Sequence, residues 1–254
     1  MTRLAVTGAA GRMGREVLSA AAEREDLTVV LAVNRSPVDG NVAGVPVESA
    51  ADLRSSLAER EPEVLVDFTG PSSSVAYAEA CADAGVAAVV GTTGFDDDQA
   101  AALRAAGESV PVLHAANFAP GVAALRSALR EAVSALPGYD VELTETHHSG
   151  KRDAPSGTAA TLLEDVDEAR GEALERVHGR EGDQPRTPGE VGVHARRAGD
   201  VAGEHEVLLA ANHETLTLAH RAGERGVFAA GALDAAAWLA GRDPGWYDFT
   251  EVLA

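Results

Sequence analysis

Two regimes of hydrophobic patterning divide the chain. Up to about residue 117, short unbroken apolar runs alternate with segments of helical period. The runs are residues 3–7 (RLAVT), 27–33 (LTVVLAV), 63–68 (EVLVDF), 86–90 (VAAVV) and 110–114 (VPVLH). Short runs without polar alternation suit strands buried on both faces of a parallel sheet. Helical patterns lie between them. One follows the glycine-rich turn of residues 8–14 and runs to about residue 24; residues 72–84 open on serines placed as caps. Residues 96–106 open on three aspartates, suited to capping and to the helix dipole. Alternation of this kind predicts a doubly wound α/β sheet.

Beyond residue 117 the pattern changes. A long helix over 121–136 stops at Pro137-Gly138. Strands then dominate, over 141–146, 191–197, 206–211 and 215–220, interrupted by a helix over 156–169 and a polar loop over 171–190. An Ala-rich helix over 227–240 suits packing back on the first domain. The predicted fold is therefore α/β: a Rossmann-type doubly wound parallel sheet plus an α+β domain with a mixed sheet. The expected dinucleotide-binding domain is 1–118 completed by 226–254. Residues 119–225 form the second domain, for substrate binding and oligomerisation.

Composition adds exclusions. Aromatics are 4% of 254 residues, so Ala, Val and Leu must fill the cores. No apolar run reaches the ~20 residues that a membrane helix needs, and the first residues lead straight into a strand without a leader-like segment. Cys81 is alone, which excludes an intramolecular disulfide and a thiolate metal cage. A cytoplasmic location is expected. With 40 acidic and 21 basic residues the net charge is −19, which argues against nucleic acid or an anionic membrane as partner. Such acidity is of the halophilic type, since salt screens self-repulsion. Lys151 is the one lysine among those 21 basic residues. A bland surface cation is Arg in this chain, so Lys151 is a candidate for chemistry that requires a releasable proton, which Arg does not supply.

Gly8-Ala9-Ala10-Gly11-Arg12-Met13-Gly14 lies between a strand and a helix, the context in which a glycine loop signals dinucleotide binding. Gly8 allows the tight turn, Gly11 the approach of a pyrophosphate, and Gly14 close packing of helix on strand. The spacing is G-x-x-G-x-x-G, with Ala10 where a glycine is common. The end of the second strand usually carries an acid for the adenosine ribose; here it is Asn34-Arg35. Asn34 does not repel a 2′-phosphate and Arg35 can pair with one, so NADPH is expected to be preferred or well accepted beside NADH. Gly91-Thr92-Thr93 and Ala115-Ala116-Asn117-Phe118 follow strands and are placed to line the nicotinamide pocket.

Residues 145–158 (ETHHSGKRDAPSGT) concentrate the remaining chemistry. Two adjacent histidines, the only lysine and an arginine make a basic island on an acidic chain, suited to an anionic substrate. The segment leads into a helix whose first N–H groups, with the Ser156 or Thr158 hydroxyl, can bind a carboxylate. Histidine is the usual general acid near neutral pH. Three close metal ligands are missing, so no metal is expected.

This segment resembles the signature of the 4-hydroxy-tetrahydrodipicolinate reductase family. The glycine loop with Arg12-Met13, residues 91–95, 115–118 and 197–205 (RAGDVAGEH) are similar to the same family in the same order. The resemblance implies a Rossmann domain closed by the returning C-terminal segment, and a substrate domain whose sheets assemble a homotetramer. It implies His147 as acid/base and Lys151 as proton donor. It further implies that His148 and the Gly157-Thr158 backbone hold the carboxylates of a small dicarboxylate substrate. By the same resemblance Gly8 to Met13, Arg35, Gly91 to Thr93 and Ala115 to Phe118 contact the cofactor. Asn34 departs from the family, which commonly has an acid there. Two other readings compete: an amino- or imino-acid dehydrogenase acting on a substrate such as aspartate, and a dinucleotide-binding redox sensor without turnover. Neither requires His-His-x-x-Lys followed by Ser-Gly-Thr.

Overall fold

The structure is a computed structural model that describes residues 1–253. It divides into two compact units: Met1–Phe118 together with the segment from Arg225 onward, and Ala119–Glu224. In chain order the first part of unit 1 contains β1 (Thr2–Thr7), α1 (Arg12–Ala22), β2 (Leu27–Asn34), β3 (Asn41–Val42), β4 (Val45–Pro46), β5 (Glu48–Ser49), α2 (Leu53–Arg60), β6 (Val64–Asp67), α3 (Pro71–Ala84), β7 (Ala87–Val90), α4 (Asp97–Ala106) and β8 (Pro111–His114). Unit 2 holds α5 (Pro120–Ala135), β9 (Asp140–His147), α6 (Gly157–Arg170), β10 (Glu175–His178), β11 (Glu190–Arg197), β12 (Gly203–Ala211) and β13 (Glu214–Ala222). Unit 1 ends with α7 (Gly226–Leu239), β14 (Gly245–Tyr247) and a 3-10 turn.

Seven parallel strands make the sheet of unit 1, in the order β14-β8-β7-β6-β1-β2-β5. The chain winds outward from β1 to β5, then crosses back to β6. A reversal of this kind opens a crevice at the carboxyl ends of β1 and β6, where such sheets bind ligands. Ala5, Leu31, Val33, Leu65, Ala88, Val90 and Val112 face a core closed by α2, α3 and α4. Helices α1 and α7 pack on one another and α7 lies against β6, β7 and β8. Cys81 is fully buried, and burial pushes its thiol well above the ordinary range, so it is no reactive thiolate.

Unit 2 is a five-stranded mixed sheet, β10-β11-β9-β12-β13, parallel across β10, β11 and β9 and antiparallel across β9, β12 and β13. Helices α5 and α6 close one face over Leu143, Val191, Val193, Val207 and Leu209. Asp165 of α6 is buried and clamps α5 through Arg126 Nε (2.8 Å) and Arg130 Nε (2.7 Å).

Several elements depart from what patterning predicts. Residues 35–62 carry no strong period, yet they hold β3 to β5 and α2; α2 is anchored by little more than Leu53 and Leu57. The polar stretch 171–190 contains the edge strand β10, whose residues are all at least part exposed. The serines at the start of α3 are not caps. Gly70 is the N-cap, Pro71 follows it, and the Ser74 hydroxyl turns inward to Asp67. No described helix is long and apolar enough to cross a membrane.

Candidate functional site

In unit 1 the expected cofactor residues gather at the carboxyl ends of the strands. Gly8 has φ +60°, and a Cβ there would meet Thr69 Cγ2 at 2.7 Å. A Cβ on Gly14 would lie 2.2 Å from Gly8 O, so the helix can approach the loop only without a side chain. Gly11 caps α1 without a side-chain acceptor, which leaves the N–H groups of Arg12 and Met13 at a helix N-terminus suited to phosphate. Ala9 is fully buried and its N–H is spent on Val33 O (3.1 Å). Asn34 receives the Ala10 N–H (3.4 Å) and donates to Ser36 O (2.8 Å). Next to it a cavity of about 260 Å³ is lined by Gly8, Asn34, Arg35, Ser36, Thr69, Gly70, Ser73 and Tyr77.

The loops after β7 and β8 are more inward than patterning implies. A Cβ on Gly91 would overlap the Phe68 ring. Thr92 is buried, with its hydroxyl 3.1 Å from Asp67 and its carbonyl on His114 Nε2 (3.0 Å); Thr93 is exposed. Phe118 is 1% exposed, packed edge-on against Phe68 and Phe249, and Ala115 is also buried. A ligand would therefore meet backbone at these three positions, and side chains only at Thr93, Ala116 and Asn117.

Sequence reasoning missed the group these loops share. Asp67 ends β6 fully buried, and four hydroxyls converge on it. Thr7 (2.5 Å) and Thr69 (2.7 Å) approach Oδ1, while Ser74 and Thr92 approach Oδ2. Its one sequence signal was a carboxylate at the end of an otherwise apolar run.

In unit 2 the basic island forms around the end of β9. Glu145 is fully buried and accepts His147 Nδ1 (2.5 Å), a fork from Arg197 Nη1 and Nη2 (2.8 Å each) and the Ser156 N–H (3.2 Å). Burial opposes its charge, but the His147 and Arg197 bonds outweigh burial and hold the carboxyl down at about 2. The carboxylate fixes Nδ1 as the protonated ring atom of His147 and presents Nε2 for proton exchange. His147 is 8% exposed, and a Cβ on Gly203 would lie 3.1 Å from that Nε2. His205 packs edge-on against the same ring, centroids 5.2 Å apart.

Arg197 also donates to Asp153 O (2.6 Å), pinning the loop that carries Lys151. Lys151 Nζ pairs with Asp153 Oδ1 (2.9 Å), with about a fifth of its side chain exposed. His148 is half-buried beside it. Gly157 and Thr158 form the first turn of α6, as expected. Ser156 does not offer its hydroxyl to a ligand: Oγ accepts Ala159 N–H (3.2 Å) as the N-cap and bonds His205 Nε2 (3.1 Å). The sequence alone gives Glu145, Arg197 and His205 no role, because only the sheet pairs them. Among the described residues, no cluster of three or more His, Cys, Asp or Glu is placed to hold a metal.

A curated relative from Natronomonas pharaonis, named 4-hydroxy-tetrahydrodipicolinate reductase, is 54% identical over 98% of both chains. One from Haloarcula marismortui with the same name is 52% identical, covering 100% of this chain and 99% of the relative. The solved dipicolinate-bound dihydrodipicolinate reductase from Paenisporosarcina sp. TG-14 superposes with a TM-score of 0.79 at 25% identity, over 98% of this chain and 97% of that one. Residues 2–118 match the model for the N-terminal part of dihydrodipicolinate reductase, residues 121–253 match that for its C-terminal part, and the chain belongs to this family.

Proposed function

We propose that the chain reduces 4-hydroxy-tetrahydrodipicolinate to tetrahydrodipicolinate with NAD(P)H, on the diaminopimelate route to lysine. The observation that carries this reading, beside family membership, is the buried Arg197–Glu145–His147 chain. It ends at Nε2, on the same strand end that ties to the N-terminus of α6 through Ser156. The reaction consumes one hydride and one proton and releases water. When bound, the nicotinamide supplies the hydride.

The chain's own residues supply the rest. The glycine cradle, with no room for a Cβ at Gly8 or Gly14, fits a dinucleotide pyrophosphate against the Gly11, Arg12 and Met13 backbone. Gly91 to Thr93 and Ala115 to Phe118 bound the nicotinamide end. His148 and the N–H groups of Gly157 and Thr158 hold the substrate carboxylates. Lys151 stabilises developing charge and, with His147 Nε2, delivers the proton. Unit 1 is the dinucleotide-binding domain and unit 2 the substrate domain. The exposed nine-residue edge strand β13 supports assembly of copies into a homotetramer through this sheet. The protein acts in the cytoplasm.

A coupled assay with freshly made dihydrodipicolinate synthase product, following nicotinamide absorbance, tests the reaction. Dinucleotide binding without turnover would favour a sensor and overturn the reading. Cofactor choice has its own test. Asn34 is neutral and tied to Ser36, and Arg35 borders the 260 Å³ cavity, which supports acceptance of a 2′-phosphate. Arg35→Ala is expected to weaken NADPH binding roughly tenfold, the loss of one charge-assisted contact. NADH binding should stay within about twofold, since it lacks that phosphate. Fluorescence titration measures both; equal losses, or a wild-type enzyme strongly selective for NADH, would refute the assignment.

A further inference from the structure

His205 stands outside every role given so far, yet it lies at the centre of the unit 2 site. It faces Glu145 of β9 on one side and His220 of β13 on the other, in direct cross-strand register. It is 2% exposed. Its Nε2 lies 3.1 Å from Ser156 Oγ, and its ring meets that of His147 at 74° with centroids 5.2 Å apart.

We propose that His205 is a positioning residue that, through Ser156, holds the His147 imidazole in register with the N-terminus of α6. The inference rests on the proposed reaction, because that N-terminus is where the substrate carboxylate is read to bind.

Ser156 is the joint. Its N–H goes to Glu145 Oε1, the carboxylate that orients His147. Its Oγ accepts the Ala159 N–H and so fixes the first turn of α6. Its other bond is with His205 Nε2, and we assign the hydroxyl as the donor there, since its oxygen already accepts from Ala159. With Nε2 accepting, the ring proton of His205 sits on Nδ1, a buried atom without a hydrogen-bond partner. Buried polar atoms are nearly always satisfied. A position selected for packing alone would hold an apolar side chain and avoid that orphan. Burial, then the neighbouring His147, also push the His205 ring down to about 3. It therefore stays neutral beside His147. One residue thus packs His147, orders the Ser156 hydroxyl and adds no charge.

The test uses the full-length enzyme and four variants: His205→Leu, His205→Gln, Ser156→Ala and the Ser156→Ala/His205→Leu double. His205→Leu is expected to lose about 100-fold in kcat/KM, as a small misplacement of a reacting group does. The loss should include a rise in substrate KM while dinucleotide Kd by fluorescence is unchanged. Gln can place its amide oxygen where Nε2 accepts, so His205→Gln should recover most of the loss. Ser156→Ala removes the cap of α6 together with the bond to His205, so the double variant should be no worse than Ser156→Ala alone.

A folded His205→Leu enzyme with kcat/KM within about twofold of wild type would overturn the proposal. So would a Gln variant as impaired as Leu, or additive losses in the double. If His205→Leu does not fold, His205→Gln and Ser156→Ala carry the comparison. Nitrogen-15 NMR of the His147 ring separates this inference from the reaction itself. An altered His147 tautomer or titration in Ser156→Ala supports the positioning role even if wild type fails to turn over the substrate; an unchanged spectrum sinks it.

Discussion

His147→Ala is expected to lower kcat by about 10²–10⁴, the range that a positioned general acid contributes. Lys151→Ala is expected to fall in the same range, for a different reason. His147 is oriented before substrate arrives, because the Glu145 carboxylate fixes its Nδ1 and leaves Nε2 as the exchanging atom. Removing the ring removes the donor and leaves Glu145 held by Arg197 and Ser156 N–H, so the protein should remain folded. Lys151 pairs with the exposed Asp153, a contact that a substrate carboxylate can replace. Lys151→Arg should keep the charge and much of the substrate affinity but not restore kcat, since a guanidinium does not release its proton. Acidification tests the support of this pair. Glu145 is depressed to about 2 from an ordinary 4.5. Its contribution to stability is therefore complete above about pH 4.5 and lost as pH falls through about 2. Activity lost between pH 7 and 5 does not come from Glu145. Steady-state kinetics of the three variants decide the matter: full kcat in both alanine variants would remove the assigned roles.

The glycine loop, the buried parallel strands and the His-His-x-x-Lys run were legible in sequence because each is local. A strand, a turn and a helix start within about fifteen residues of one another, and spacing alone reports them. The partners of these groups are not local. Glu145 and Arg197 are 52 residues apart and meet because β9 and β11 lie side by side in parallel. His205 reaches Ser156 across 49 residues through the antiparallel pairing of β9 with β12. Ser156 illustrates a second limit. Its place before a helix announces a cap or an anion site equally well, and only its bonds to Ala159 and His205 decide for the cap. Thr92 and Phe118 show a third, since a loop after a strand looks like lining whether its side chains turn outward or, as here, into the core. Short elements such as α2, β10 and β14 carry too few apolar positions to show a period.

Asp67→Ala is expected to destabilise the cofactor-free protein by about 3 kcal/mol, since a buried polar group left without its partner costs ~1–3 kcal/mol. Four hydroxyls lose their acceptor, but the losses do not sum. Ser74 can turn to Gly70 O (3.1 Å) or Thr92 Oγ1 (2.7 Å), and Thr7 lies 3.4 Å from Val66 O. Thr69 is exposed, so its hydroxyl can turn to solvent, and its methyl is what a Cβ on Gly8 would strike. The cluster therefore couples the stability of unit 1 to the shape of the glycine loop. A 3 kcal/mol loss corresponds to a fall in Tm of roughly 6–12 °C for a chain of this size. Dinucleotide affinity should fall with it. Asp67→Asn keeps the volume and one acceptor oxygen, and its amide can donate to hydroxyls turned round to receive it, so roughly half the loss is expected. Thermal unfolding and fluorescence titration of the two variants measure both effects. A cofactor-free Asp67→Ala protein as stable as wild type would mean that the four hydroxyls re-pair at no cost, and that the strand ends of β1, β6 and β7 are held by packing alone.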